Sequence, residues 1–438
     1  MLVFISDLHI GDDSLGKLNL SEGAFGRFFR EVRDHADRAC AKEVRIVLLG
    51  DVFELLMSKA WLAVADAAPT TTDPPDPILL GTAAGILGRI VDNNQPIFRH
   101  FEPASIRRAL VYRCECAREV TVQFIPGNHD RVCNATPAMR REVVRALSLD
   151  HDPGQAFEWR LWDPEHGVLA RHGHEWDPAN YAGREPYSVA QHQLPTIGDA
   201  VASRLGVHLH TELCRTLQRP GRSPAEREAL SQRLAGMYDV RPMAALVQWV
   251  MSSVREAHMD SRRLMRVQRA IAGVVDTYAQ TAYYRDWARE HRLDALLVSA
   301  VLPALRHVRL LARSLPEWMV SAWSTYHAAV AGLRSDKHVR GARLDYDDPR
   351  DFERALCRYI IYGHTHFPVQ APLCIGPTGP VVYINTGAFR PIYYRTADRR
   401  GFSPLKQMTY VIIYGPDEAR KNGTKQRAEV WTGHLQEE

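Results

Sequence analysis

Five short fragments of this 438-residue chain carry side chains that bind metal cations: Asp7-Leu8-His9, Gly50-Asp51-Val52-Phe53-Glu54, Gly127-Asn128-His129-Asp130, His172-Gly173-His174 and Gly363-His364-Thr365-His366. Asp-x-His at a strand end sets two ligands on one side of the backbone, because strand side chains repeat every two residues. The Asp51 carboxylate, having two oxygens, can bridge two cations. The Asn128 amide oxygen and the imidazoles of His172, His364 and His366 complete the set. Mixed Asp, Asn and His ligation suits Mn, Fe or Zn better than a thiolate site would. Two cations about 3.5 to 4 Å apart can hold a hydroxide between them and neutralise a phosphoryl group during in-line attack. The departing oxygen then needs help to leave. His129, beside Asn128, is the candidate for that, with Glu54 orienting its ring.

Each fragment follows an apolar run that reads as a buried strand. These runs are residues 2 to 6, Val44 to Leu49, Val120 to Ile125, Gly167 to Ala170 and Arg358 to Tyr362. Between the first two lies a helical pattern from Glu22 to Ala41, with Phe25, Phe28, Phe29, Val32 and Ala36 on one face. Strand, helix, strand is the rhythm of an α/β fold. Further helices are expected over Ile78 to Asn93 and near Glu102 to Glu119, after an exposed Pro/Thr-rich loop from Ala65 to Pro77. Later strands are expected at Val381 to Ile384, Thr409 to Tyr414 and Ala428 to Trp431, with Gly415 to Gly423 as a hairpin loop.

The period turns helical from about residue 187 to 345, in patterns such as Ala244 to Val254 and Leu293 to Leu305. Residues 190 to 345 hold 22 Lys+Arg against 14 Asp+Glu, a balance of +8, while the rest of the chain balances at −4. The expected organisation is therefore residues 1–186 and 346–438 as two parts of one α/β domain, interrupted by an all-helical insertion at 187–345. A chain of this length exceeds one ordinary core. Its seven cysteines, odd in number and without a CxxC pair, point to a reducing compartment. No signal peptide and no apolar stretch of membrane-spanning length is visible, so a cytoplasmic protein is expected.

Taken in order, the five motifs resemble the calcineurin-like metallophosphoesterase superfamily. Its pattern DxH, GDxx(D/E), GNH(D/E), HGx and GHxH is matched by Asp7/His9, Asp51/Glu54, Asn128/His129, His172 and His364/His366. The resemblance covers residues 1 to about 185 and about 350 to 435 and is silent on the helical block. It implies a two-sheet α/β sandwich with flanking helices and two divalent ions per chain, Mn ahead of Fe or Zn. One ion would take Asp7, His9, Asp51 and His366; the other would take Asp51, Asn128, His172 and His364. The Asp-Arg-Gly of serine/threonine protein phosphatases is replaced here by Glu54-Leu55-Leu56. Gly50 to Glu54 is similar to the GDLFE of bacterial UDP-2,3-diacylglucosamine pyrophosphatases, although those carry Arg where this chain has His129. The implied activity is hydrolysis of a phosphodiester, pyrophosphate or phosphomonoester bond, on a nucleotide or lipid-linked nucleotide.

Around this set, His174, Arg131 and Arg390 are candidate substrate contacts, each with an ordinary structural role as its alternative. Tyr383 to Phe389 is similar to the NTG segment that follows GHxH in the superfamily, and its loop is expected beside the metals. In the insertion, Arg262, Arg263, Arg266 and Arg269 fall near Tyr278, Tyr283, Tyr284 and Trp287. Basic residues among aromatics can bind single-stranded nucleic acid, so a nuclease is the second hypothesis; a solvated basic face is the plainer one. Leu293 to Trp323 could cover an acyl chain or lie peripherally on a membrane. A non-catalytic interaction scaffold is a third class, and the oligomeric state stays open.

Overall fold

The computed structural model describes residues 1–17, 19–64, 75–110, 119–183, 189–218, 223–241, 249, 261–290, 337–348, 353–396, 401–421 and 427–434. It is a mixed α/β structure with two sheets. The first contains β1 (Leu2–Ile5), β2 (Glu43–Leu49), β3 (Glu119–Ile125), β6 (Val240–Arg241), β10 (Phe389–Arg395), β11 (Phe402–Ile413) and β12 (Ala428–His434), in the order β3-β2-β1-β11-β10-β6, with β12 also on β11. The second contains β4 (Arg160–Asp163), β5 (Val168–Arg171), β7 (Tyr359–Tyr362), β8 (Pro368–Gly376) and β9 (Gly379–Thr386), in the order β4-β5-β7-β9-β8. Strands β1, β2 and β3 run parallel to one another, as do β5, β7 and β9.

Alternation along the strands assigns the faces. Leu2, Phe4, Val47, Leu49 and Ile125 meet Val168, Ala170, Ile361 and Ile384 between the sheets. Val3, Ile5, Val44, Ile46 and Leu48 turn outward onto Phe25, Phe28, Phe29 and Val32 of the helix Glu22–Arg38 and onto Ile86, Leu87 and Ile90 of the helix Pro77–Asn93. Ile360, Tyr362 and Tyr383 of the second sheet pack on Ala342 and Tyr346, from and just before the end of the helix at 337–347. Both faces of the central strands are therefore buried, which is why they read as continuous apolar runs.

In the 187–345 segment, the helices Val207–Leu217, Pro224–Ala235 and Ser261–Ala279 share a core of Leu209, Leu213, Leu234, Val267, Ile271 and Val275. Pro224 follows the N-cap Ser223, and Glu226 closes a capping box, so that helix start is set by local chemistry. The segment is not all-helical: β6 pairs in parallel with Tyr393 and Tyr394 of β10 and joins the insertion to the first sheet. Nor is Gly415 to Gly423 a plain hairpin loop, since Pro416–Lys421 is a short helix with Asp417 and Glu418 in its first turn, where acidic residues favour the helix.

The expected loop at 65–74, the stretch 111–118, most of the Ala244 to Val254 pattern, all of Leu293 to Trp323 and the side chains of Arg262 and Arg263 lie outside the described residues. Among the described residues no helix is long and apolar enough to cross a membrane. Cys40, Cys133, Cys214, Cys357 and Cys374 are free thiols.

Candidate metal centre

The carboxyl ends of β1, β2, β3, β5, β7 and β9 converge on one end of the two-sheet stack, and the ligand fragments are the loops that leave them. Strand alternation does not pair Asp7 with His9, as the Asp-x-His spacing had implied: β1 stops at Ile5 and β7 at Tyr362. Asp7, His9, Asp51, His364 and His366 instead adopt left-handed backbone, with φ of 54°, 44°, 53°, 70° and 61°. Hydrogen bonding past the strand ends holds them there. Asp7 N donates to Gly50 O at 3.1 Å, His9 N to Asp51 O at 2.8 Å, and Ile10 N to Val52 O at 2.9 Å. Asp130 ties in the third loop by accepting from the backbone of Val52, Phe53 and Gly127 at 2.7, 3.2 and 2.7 Å. At Gly363 a Cβ would stand 2.5 Å from Ser6 Oγ and 2.7 Å from Asp7 Oδ2, so only glycine allows this approach.

Three overlapping groups here could hold metal ions: Asp7, His9 and His366; Asp51, His172 and His364; and His9, Asp51 and His129. In the first, Asp7, His9 and His366 lie together. His366 Nε2 is 3.1 Å from His9 Nε2 and 3.2 Å from Asp7 Oδ1, while Asp51 Oδ2 is 3.5 Å from His9 Nε2. For bonds of about 2.1 Å to a tetrahedral cation, ligands stand about 3.4 Å apart, which is the spacing seen. In the second, Asp51, His172 and His364 lie together, with His172 Nε2 3.2 Å from Asp51 Oδ2 and Asn128 Oδ1 3.0 Å from His364 Nδ1. Asp51 Oδ2 thus faces both of these groups, while its Oδ1 accepts from His129 N at 2.8 Å. His364 and His366 fall to different groups.

The ring orientations are set from behind, as metal ligands require. His9 donates from Nδ1 to Glu54 Oε2 at 2.7 Å, His172 from Nδ1 to Leu49 O at 2.8 Å, and His364 from Nε2 to Asp177 Oδ2 at 3.3 Å. The other nitrogens turn toward the centre, His9 Nε2 onto His366 Nε2 and His364 Nδ1 onto Asn128 Oδ1. Asp7 Oδ1 and His172 Nε2 are buried without a hydrogen-bond partner, a condition that costs free energy unless a cation meets them.

Electrostatics agree. Burial pushes the Asp7 carboxyl up, but His366 and then His9 outweigh it and hold it well below the carboxylate range. His172, His129 and His9 do the same for Asp51. Burial pulls His9 and His172 down, yet hydrogen bonds from His9 to Asp7 and Glu54 raise it to about 9, and Asp51, then Asp7, raise His172 to about 10. The ionised carboxylates of Asp7 and Asp51 favour positive charge on the imidazoles beside them.

His129 is 17% exposed at its side chain and donates from Nδ1 to Glu54 Oε1 at 2.8 Å. The Asn385-Thr386-Gly387 loop lies beside the centre, where Thr386 Oγ1 is 2.6 Å from Ser6 Oγ. Arg131 and Arg390 are not surface arginines: both are 2% exposed, bonded to Asp199 and Asp239 of the insertion. They tie the insertion to the rim of the centre. His174 is fully buried, its Nε2 3.2 Å from His192 Nδ1. Spacing does not single out Asp199, Asp239 or His192. Asp130 sits inside Gly127-Asn128-His129-Asp130, and Glu175 and Asp177, just after His174, read equally as loop caps or functional groups. No family model matches the chain, and no match was found among curated proteins.

Proposed function

We propose that this chain is a metal-dependent phosphoester hydrolase of the calcineurin-like metallophosphoesterase class, cleaving a phosphodiester, pyrophosphate or phosphomonoester bond with two divalent ions, Mn ahead of Fe or Zn. The observation that carries the reading is the meeting of Asp7, His9, Asp51, Asn128, His172, His364 and His366 at one end of two parallel strand sets, with Asp7 Oδ1 and His172 Nε2 left bare. Asp7, His9, Asp51 and His366 would hold one ion; Asp51, Asn128, His172 and His364 would hold the other. Such ions neutralise phosphoryl charge and make water a nucleophile near neutral pH. His129, whose Nδ1 is held by Glu54, would give a proton to the leaving oxygen. Free thiols fit a reducing cytoplasmic setting. The test is turnover of bis-p-nitrophenyl phosphate across a metal screen. Activity is expected to vanish with chelator and with Asp51→Asn. No metal-dependent turnover of any phosphomonoester, diester or sugar nucleotide would sink the reading.

A second reading, a nuclease, is favoured by one feature. A groove of about 740 Å³ between the helices Val207–Leu217 and Ser261–Ala279 is lined by Arg215, Arg266, Arg269, His208 and Thr277, although Arg215 is bonded to Glu212. Oligonucleotide binding that weakens steeply with salt would support it; no binding at low salt removes it.

A further inference from the structure

A second, separate set of ligand side chains lies beyond His172. His174, Glu175 and His192 each offer one donor atom, all within 4.8 Å of one another. They are 0%, 7% and 1% exposed. We propose that these three residues form an additional cation site, of the zinc class, distinct from the two groups that share Asp51. It rests on the proposed function only for the two ions counted at the main centre.

Three features carry it. His174 Nε2 and His192 Nδ1 face each other at 3.2 Å, almost the separation of His9 Nε2 and His366 Nε2 in the main centre. Two neutral imidazoles in that pose share one proton at best; one cation satisfies both lone pairs. His174 Nδ1 and Glu175 Oε1 are buried without hydrogen-bond partners, Glu175 Oε1 lying 3.8 Å from Arg171 Nη1, and Glu175 Oε2 stands 3.8 Å from that same Nδ1. A carboxylate enclosed with two imidazoles is a donor set that suits Zn²⁺ and its borderline neighbours, as in sites built from two His and one Glu.

The third feature is preorganisation. The His192 ring is stacked on Trp159 at 3.9 Å and 7° and meets Tyr181 at 5.1 Å, so its nitrogens are aimed. On the other side, Gly173 in left-handed backbone (φ 98°) starts the turn His174–Trp176, and its N–H donates to Glu175 Oε2 at 3.1 Å. His192 belongs to the turn Val189–Gln193, the first described turn of the insertion. A cation here would fasten that turn to the loop carrying His172.

The experiment counts metal. The full chain, loaded with Zn²⁺ alone and passed through gel filtration, should retain three zinc per chain, and zinc-edge anomalous scattering should show a peak between His174 and His192. His192→Phe keeps the stack on Trp159 but removes both ring nitrogens; it should lose one equivalent and that peak. Glu175→Gln is the second variant, expected to weaken the same equivalent. Asp51→Asn should deplete the main centre and keep the peak at His174, so failure of the two sites is distinguishable. A wild-type protein without that peak, or both variants with the wild-type zinc count, would overturn the proposal and leave His174 and His192 joined by a plain N–H···N bond.

Discussion

Glu54→Gln tests the tautomer logic of the centre with a change of one atom. Glu54 is 3% exposed and serves two rings, His9 through Oε2 at 2.7 Å and His129 through Oε1 at 2.8 Å. Its Oε1 also accepts from Leu56 N and Met57 N, each at 3.1 Å. The introduced amide must keep its oxygen against those two N–H groups, so its NH2 faces His9 Nδ1, where two donors would collide. His9 escapes by moving its proton to Nε2, the nitrogen that faces His366, Asp7 and Asp51. Loss of such an outer partner costs roughly 10- to 100-fold in metal affinity, or about 1.4 to 2.7 kcal/mol. His129 keeps its acceptor, so turnover should fall most at limiting metal and recover in part at saturation. The assay is competition with a metal-chelating dye for Mn²⁺ and Zn²⁺, followed by activity against metal concentration. Wild-type affinity in the variant would refute the assignment of Nε2 as the ligand atom of His9.

Three further outcomes are expected. His129→Ala should lower turnover by about 100- to 10,000-fold while metal content stays at the wild-type level, read by elemental analysis. Asp199→Ala removes the carboxylate paired with the buried Arg131 guanidinium. It should cost about 3–5 kcal/mol, measured by urea unfolding of the full chain; an unchanged midpoint would mean the pair does not anchor the insertion. The third concerns pH. His9 and His172, raised to about 9 and about 10, stabilise the metal-free fold fully below their unfolded pKa of about 6.5. That stability is lost as pH climbs through 9 and 10. Metal-loaded protein, in which those protons are displaced, should lack this decline, so thermal midpoints with and without chelator should diverge above about pH 8.

The parts visible in the sequence were those whose physics is local. β1, β2, β5 and β7 are covered on both faces, and burial on both sides writes a continuous apolar run, whereas β3 is buried only at Phe124 and Ile125. β8 and β10 left no such trace: β8 includes Pro368 and Pro372 and exposes Ile375, and β10 contains Pro391. The Asp7/His9 pairing was read from spacing with the wrong cause, since strand pleat was invoked where left-handed backbone is found. Asp199, Asp239 and His192 could not be read at all. Each is a lone polar residue in a helical block, and its meaning comes from a partner 68, 151 or 18 residues away, a distance at which no periodicity operates.

The left-handed ligands give the centre a thermodynamic character that ligand identity alone does not. Sparsely populated backbone of this kind costs about 1–3 kcal/mol per residue, less for Asp and His than for bulkier types. Five such residues therefore set against folding a sum comparable with the whole stability of a domain, about 5–15 kcal/mol. The ladder from Asp7 through Glu54 and the three amides on Asp130 resist relaxation of that strain. Without cations, the protons on His9 and His172 are the other opposing term, and they are lost in base. A cation entering between Asp7, Asp51 and the imidazoles, in place of those protons, would offset strain already present in the fold, so binding energy would appear largely as folding energy. Chelation should then lower cooperativity first in the loops after β1, β2 and β7, where hydrogen exchange of the Asp7, His9 and Gly363 amides would report it.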